Sequence, residues 1–297
     1  MLRLGIDVGG TKINVGLIRF DGGAAQVLAQ RRLAVKDLID AVAEISNAAL
    51  ELCKASKVAF TDILGCGVGI PGTVSADGMQ ILKAPNITAL GKNFASRLAA
   101  ALGIPVRLVQ DSRAAAWGEY RCGGAYGAHS VICFTLGTGI GTGLVLNGQI
   151  YHGALGTAGE LGHIPIVENG RPCGCGKRGC LEKYCAGGGL DITAAELLGQ
   201  GNTAKDLFAA AKAGNSAAQS AINAAVTHLG NAIVAAVNLL SPDCVLFSGG
   251  LAEEEAYLTP LTDYVRDHCY ATDALPVLKK AKLGALAPMI GAAVLDA

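Results

Sequence analysis

The sequence predicts an α/β protein in which one structural unit is used twice. Three observations carry this. Strand-length apolar runs alternate along the chain with stretches of helical period. A strand, a glycine turn and a second strand stand at the start: residues 2–7, then Gly9-Gly10-Thr11-Lys12, then residues 13–20. The pattern returns in residues 131–136, Gly137-Thr138-Gly139-Ile140-Gly141-Thr142-Gly143 and residues 144–146. One copy in each half points to internal duplication, although any two glycine hairpins look somewhat alike. A chain of 297 residues is long enough for two domains with separate cores.

The elements follow in order. Asp21-Gly22-Gly23 closes the first hairpin. Over residues 37–54, Leu38, Val42, Ile45, Ala49 and Leu52 recur at helical spacing, with Asp37 as the expected N-cap. Residues 63–70 read as a strand stopped by Pro71-Gly72, and residues 93–102 as a helix. Residues 106–109 form a strand ending at Gln110-Asp111, and 112–120 an alanine-rich helix. After the second hairpin and a cysteine-bearing segment, residues 204–213 and 217–240 are helical. The longer of these is stopped by Pro242 and reads as a core or dimer-packing helix. Residues 244–247 are a strand with the turn Ser248-Gly249-Gly250 behind it. A helix over 257–268, a strand over 277–282 and a short helix over 290–295 complete the chain.

Composition narrows the function. Lys+Arg and Asp+Glu are both 24, which leaves no basic footprint for nucleic acid or an anionic membrane. Asp7 interrupts the opening apolar residues before a leader could form, and the most apolar helical run, 232–240, is too short for a bilayer. Ten cysteines without a leader point to reduced thiols, metal binding and a cytoplasmic setting. Cys53, Cys66, Cys122, Cys133, Cys185, Cys244 and Cys269 sit mostly among apolar neighbours and read as small core residues.

Residues 159–182 hold the other three. His163, Cys173, Cys175 and Cys180 form a Cys3His set of the kind that holds structural zinc in a tetrahedron. A free-thiol loop is the alternative; a disulfide within Cys173-Gly174-Cys175 would be strained. Four protein ligands leave no open position for a catalytic water. Glu160 and Glu182 bracket the set, so an ion here would hold both carboxylates in fixed relation as a scaffold for a polar ligand.

The glycine turns offer backbone N–H groups without obstruction, as phosphate-binding nests do. Gly9, Gly10, Thr11 and Lys12 form one candidate; Gly137, Thr138, Gly139 and Gly141 form the other. Neither fits a Walker A loop or a dinucleotide fingerprint, since each turn leads into a strand. Two nests facing each other across a cleft would suit a nucleoside triphosphate. Asp7, at a strand end, is a candidate for Mg²⁺ through water, or an ordinary turn residue. Asp111, between a strand and a helix, is a candidate base for phosphoryl transfer, or an N-cap.

Taken together, Asp7-Val8-Gly9-Gly10-Thr11-Lys12, Leu136-Gly137-Thr138-Gly139-Ile140-Gly141, Glu160-Leu161-Gly162-His163 and the run from Cys173 to Glu182 resemble the ROK family (repressors, open reading frames and kinases) over nearly the whole chain. The resemblance implies an actin-like (ribonuclease H-like) duplicated ATPase fold of two domains with a cleft. Residues 1–113, completed by a C-terminal helix at about 287–297, would form one domain. Residues 114–286 would form the larger, with the zinc site and dimer helices. It implies a cytoplasmic homodimeric sugar kinase, most simply a glucokinase, using ATP, Mg²⁺ and structural Zn²⁺. Asp111 would be the general base. Gly72, Asn86, Gln110, Asp111, Glu160, His163 and Glu182 would line the sugar site, with His163 presenting one ring nitrogen to zinc and one to sugar. His163, Cys173, Cys175 and Cys180 would hold the metal. Asp7, both turns, Gly249 and Gly250 would meet the nucleotide.

The sequence departs from the family pattern in three places. Gln110 and Arg113 stand where Asn is usual, and Ala186-Gly187-Gly188-Gly189 replaces the serine and threonine common after the zinc motif. The longer Gln110 amide bears on which sugar is preferred: N-acetylmannosamine, N-acetylglucosamine, allose and fructose are alternatives to glucose. A sugar-sensing regulator is a rival reading, but Asp7 falls within one strand of Met1, leaving no room for a helix-turn-helix before the core. A chaperone- or actin-type ATPase is a third, disfavoured by the sugar-lining set and the cysteines.

Overall fold

A computed structural model of the protein describes residues 1–37, 40–84, 87, 90–271 and 273–296. The chain forms two compact units, one of Met1–Ala128, Gly143–Ala158 and Ala281–Ala297, the other of His129–Thr142 and Gly159–Lys280. The helix that begins at Asp111 therefore lies whole in the first unit, past the boundary expected at residue 113.

The first unit opens with β1 (Leu2–Val8), β2 (Lys12–Asp21) and β3 (Ala24–Ala34). They pair antiparallel, in registers that include Asp7↔Asn14 and Leu17↔Ala29. β3 escaped the sequence reading because it is a half-exposed edge strand, in which Gln26, Gln30, Arg31 and Arg32 blur the period-two signal. Helix α1 (Ala41–Ala55) starts later than expected. Its cap is Asp40, not Asp37: the Asp40 carboxylate accepts from the N–H of Val42 and of Ala43, satisfying two orphan donors of the first turn. Val35–Asp37 make a separate 3₁₀ turn, and Leu38 lies outside the described residues.

The unit continues through β4 (Ile63–Ile70), a small hairpin of β5 (Thr73–Val74) and β6 (Ile81–Lys83), α2 (Phe94–Leu102), β7 (Val106–Gln110) and α3 (Asp111–Cys122). β1, β4 and β7 run parallel and make the sheet order β3-β2-β1-β4-β7. Their buried apolar residues, among them Leu4, Ile6, Val68, Ile70 and Leu108, join Ile45, Leu52, Phe94 and Leu98 of the helices in one core. Full burial of such a side chain stabilises the fold by roughly 1.5–3 kcal/mol.

The second half repeats this winding. β8 (Val131–Leu136), β9 (Ile140–Leu146) and β10 (Gln149–Ile150) come first. After the cysteine segment come α4 (Glu182–Cys185), α5 (Gly187–Leu198), α6 (Ala204–Lys212) and α7 (Ser216–Leu240). β11 (Cys244–Ser248), α8 (Glu255–His268), β12 (Val277–Lys280) and α9 (Ala287–Ala293) end the chain. The sheet order is β10-β9-β8-β11-β12, with β8, β11 and β12 parallel. In both sheets the first strand lies in the middle, its hairpin strands stand on one side and two parallel strands on the other. That shared order is the duplication which the two glycine turns announced.

The last helix spans 287–293 rather than 290–295, and packs in the first unit against β1 and β4. Gly5 and Gly67 permit this approach, since a side chain on either would collide with the backbone of Met289 or Ala292. Helix α7 has 25 residues and is long and apolar enough to cross a membrane, so the short apolar run does not exclude a span by length. Its Ile222, Val226, Leu229, Ile233 and Val237 are buried at helical spacing, and the helix packs on α6 and α8. All ten cysteines are free, and the seven outside the 159–182 segment are buried.

Candidate functional site

In the first unit three parallel strands end at one edge of the sheet. Asp7 pairs with Gly69, and Ile70 with Gln110. Asp7, the Pro71-Gly72 turn, Gln110 and Asp111 are therefore brought to the carboxyl edge, where open α/β sheets place their chemistry. Asp111 is the first residue of α3, and its Oδ1 accepts from the Ser112 N–H at 2.7 Å. Asp7 accepts a hydrogen bond from Asn14 Nδ2 at 3.0 Å. Burial raises its pKa above the ordinary carboxylate value, opposed by Asn14 and by the charge of Lys12.

The Gly9-Gly10-Thr11 turn is closed by the Gly9 N–H donating to the Lys12 carbonyl at 2.8 Å, and Gly10 faces open space. Gly72 has φ 154°, and a side chain there would strike the Lys83 carbonyl. Asn86 lies outside the described residues. Arg113 is buried, and its guanidinium donates to the carbonyls of Gly156 at 2.9 Å and Ala158 at 2.8 Å. Asparagine is too short for that reach.

In the second unit β8 ends in the turn Gly137-Thr138-Gly139, closed by the Gly137 N–H on the Gly139 carbonyl at 3.1 Å. Gly141 sits past the turn, inside β9. The opening of α5 is bonded to this turn: the N–H of Gly187 donates to the carbonyl of Gly137 at 2.8 Å, and that of Gly188 to Thr138 at 3.0 Å. Side chains at 187 and 188 would press on those same carbonyls. This is why glycines open a helix here, and why α5 was missed: its start lacks the usual cap chemistry. Gly249, after β11, packs on the backbone of Leu136 with φ 91°, beside Gly250.

The cysteine segment gathers the four expected ligands. One donor atom each from His163, Cys173, Cys175 and Cys180 falls within 4.8 Å of the rest. Cys173 Sγ is 3.6 Å from His163 Nδ1, and Cys175 Sγ is 3.6 Å from Cys180 Sγ. A tetrahedron with Zn–S bonds of ~2.3 Å has S–S edges of about 3.8 Å, so the four atoms fit a zinc ion. Backbone pairing holds the loop: Pro165 bridges to Cys180 and Pro172 to Arg178, and the Cys173 N–H donates to the Lys177 carbonyl at 2.9 Å.

Both glutamates come to this centre. Glu160 Oε2 is 3.8 Å from His163 Nε2, the ring nitrogen turned away from the sulfurs. Glu182 Oε1 accepts from the Cys173 thiol at 3.1 Å and is 3.9 Å from His163 Nδ1. Burial, with the Glu182 hydrogen bond adding to it, pushes the Cys173 thiol up to about 12. A thiolate there calls for a cation.

Arg171 was not singled out in the sequence, because its partners are remote. Its guanidinium donates to the carbonyls of Lys183 and Gly189 and to Thr193 Oγ1, pairs with Glu196 and lies over the Tyr184 ring.

Residues 3–297 match the ROK family model. The chain belongs to the ROK family. It is 30% identical over 312 residues to a glucokinase of Streptomyces coelicolor, in a match covering 98% of this chain and 96% of that one. A ROK hexokinase from Thermus thermophilus has the same fold, with a TM-score of 0.87 at 32% identity over 99% of this chain and 97% of the other. A ROK family glucokinase from Streptomyces griseus, solved in complex with glucose and AMPPNP, gives a TM-score of 0.78 at 30% identity over 99% of both chains. The architecture is thus the actin-like duplicated ATPase fold of the ROK sugar kinases.

Proposed function

We propose that this ROK sugar kinase transfers the γ-phosphoryl group of ATP to the 6-hydroxyl of a hexose, with glucose as its substrate. The observation that carries the reading is the set at His163: one ring nitrogen 3.6 Å from the Cys173 sulfur within the Cys3His cluster, the other toward Glu160, with Glu182 alongside. Carboxylates accept hydrogen bonds from vicinal sugar hydroxyls, and a metal-held loop fixes their spacing. Zinc is the ion, and its part is structural.

Asp111 accepts the proton of the attacking hydroxyl, while Asn86, Gln110, Glu160, His163 and Glu182 orient the sugar beside Gly72. The turns at Gly9–Lys12 and Gly137–Gly139 take the phosphate oxygens on backbone N–H groups, with Gly249-Gly250 near the adenosine. Mg²⁺, when bound through water at Asp7, neutralises charge developing on the transferred group. The setting is cytoplasmic and the assembly a homodimer.

The test is ADP release from purified protein and ATP across glucose, mannose, fructose, allose, N-acetylglucosamine and N-acetylmannosamine. Turnover led by glucose supports the reading. Turnover led by an N-acetylhexosamine reassigns the substrate, and none with any sugar removes the kinase reading.

A further inference from the structure

The cysteine loop and the glycine turn after β8 are far apart in sequence, yet the second unit builds them on one frame. Helix α5 is the common part. Its first turn is bonded to the glycine turn, through Gly187 N–H to Gly137 and Gly188 N–H to Thr138. Its next residues are bonded to the cysteine loop through Arg171, which donates to the carbonyl of Gly189 at 3.0 Å and to Thr193 Oγ1 at 3.0 Å. The same guanidinium reaches back to the Lys183 carbonyl in α4 at 2.9 Å. The backbone N–H of Arg171 donates to Tyr184 Oη at 2.7 Å. Arg171 stands two residues before the ligand Cys173, and Lys183 one residue after Glu182.

A second path runs beside the first. Glu182 touches Cys173 with Oε1, while its Oε2 faces Gly139 so closely that a Cβ there would lie at 2.7 Å from it. One carboxylate therefore spans the metal-ligand set and the glycine turn. A planar guanidinium held by several acceptors and an aromatic face is a rigid joint, where an ammonium would be a swivel.

We infer that Arg171 is a positioning residue that locks the cysteine loop, α4–α5 and the glycine turn into one rigid body, so that nucleotide binding and metal retention are coupled. The inference rests on the reading of that turn as a phosphate site. Coupling of this kind is reciprocal: if the held metal favours nucleotide, bound nucleotide must favour the metal by the same factor.

The experiment uses full-length protein and no sugar. Zinc affinity is measured by equilibrium competition with a chromogenic chelator, with and without saturating AMPPNP, and AMPPNP affinity is measured by calorimetry. Wild type should hold zinc about tenfold more tightly with nucleotide bound. Arg171→Ala, with its metal content as purified unchanged, should bind AMPPNP about tenfold more weakly and lose the nucleotide effect on zinc affinity. Arg171→Lys should recover part of each.

Wild type that binds AMPPNP but shows the same zinc affinity with and without it overturns the inference alone, whether or not the alanine variant folds. So does an Arg171→Ala protein that binds nucleotide as wild type does. Wild type that binds no nucleotide overturns the kinase reading as well.

Discussion

His163 Nδ1 lies 3.6 Å from Cys173 Sγ, and this contact gives the histidine ring two distinct faces. The face toward the sulfurs belongs to the Cys3His cluster, whose donor atoms lie within 4.8 Å of one another. The other carries Nε2, 3.8 Å from Glu160. A histidine whose Nδ1 is spent on a metal keeps the proton on Nε2, where it donates to an oxygen. Substitution of His163 by Asn should therefore lose both functions together. Metal content and sugar affinity should fall in parallel, measured by elemental analysis and by sugar titration on one preparation.

Asp111 stands at the head of α3 on the carboxyl edge of the first sheet. Asp111→Ala should keep sugar binding and lose turnover by on the order of a thousandfold. Single-turnover kinetics beside equilibrium binding separate the two, and unchanged turnover would remove Asp111 from the mechanism.

Asp7 is held at a cost. Burial raises its pKa, so its ionised form disfavours folding; that penalty is absent in acid and grows as pH rises through the ordinary carboxylate range. Asp7→Asn should therefore be more stable than wild type at neutral pH, with the gain vanishing as pH falls below that range, while activity is lost. Denaturant unfolding at several pH values checks this. Activity lost together with stability would contradict it.

Gly139 faces the end of the Glu182 side chain. A flexible side chain yields cheaply, so Gly139→Ala should leave the melting temperature nearly unchanged. The displaced carboxylate should raise KM for the sugar by on the order of tenfold.

Glu119 tests the scaffold rather than the chemistry. It is fully buried in α3 and accepts from the backbone N–H groups of Gly124, Lys282 and Leu283. Glu119→Ala would strand those donors, and should cost about 3 kcal/mol in urea unfolding with KM values little changed.

What the sequence disclosed follows from where its signals are local. The glycine turns and the Gln110-Asp111 strand end are each written within a few residues and the Cys3His set within one segment; the structure closes both turns, ends β7 at Gln110 and gathers the four donor atoms within 4.8 Å. Asp40 displaced Asp37 as the α1 cap because capping depends on one carboxylate reaching two amides, which spacing alone does not resolve. β3 was hidden by its half-exposed pattern, and α5 by glycines that exist for a close approach to Gly137 and Thr138. Arg171 and Arg113 act through partners 12 to 45 residues away, and no spacing rule points to them.

If one ion fixes the loop whose carboxylates grip a hexose, sugar affinity should depend on the metal. Titration of glucose into metal-loaded and metal-depleted protein measures that dependence. Binding should be saturable in the loaded form and at least about tenfold weaker after depletion. Equal affinity in the two forms would contradict it.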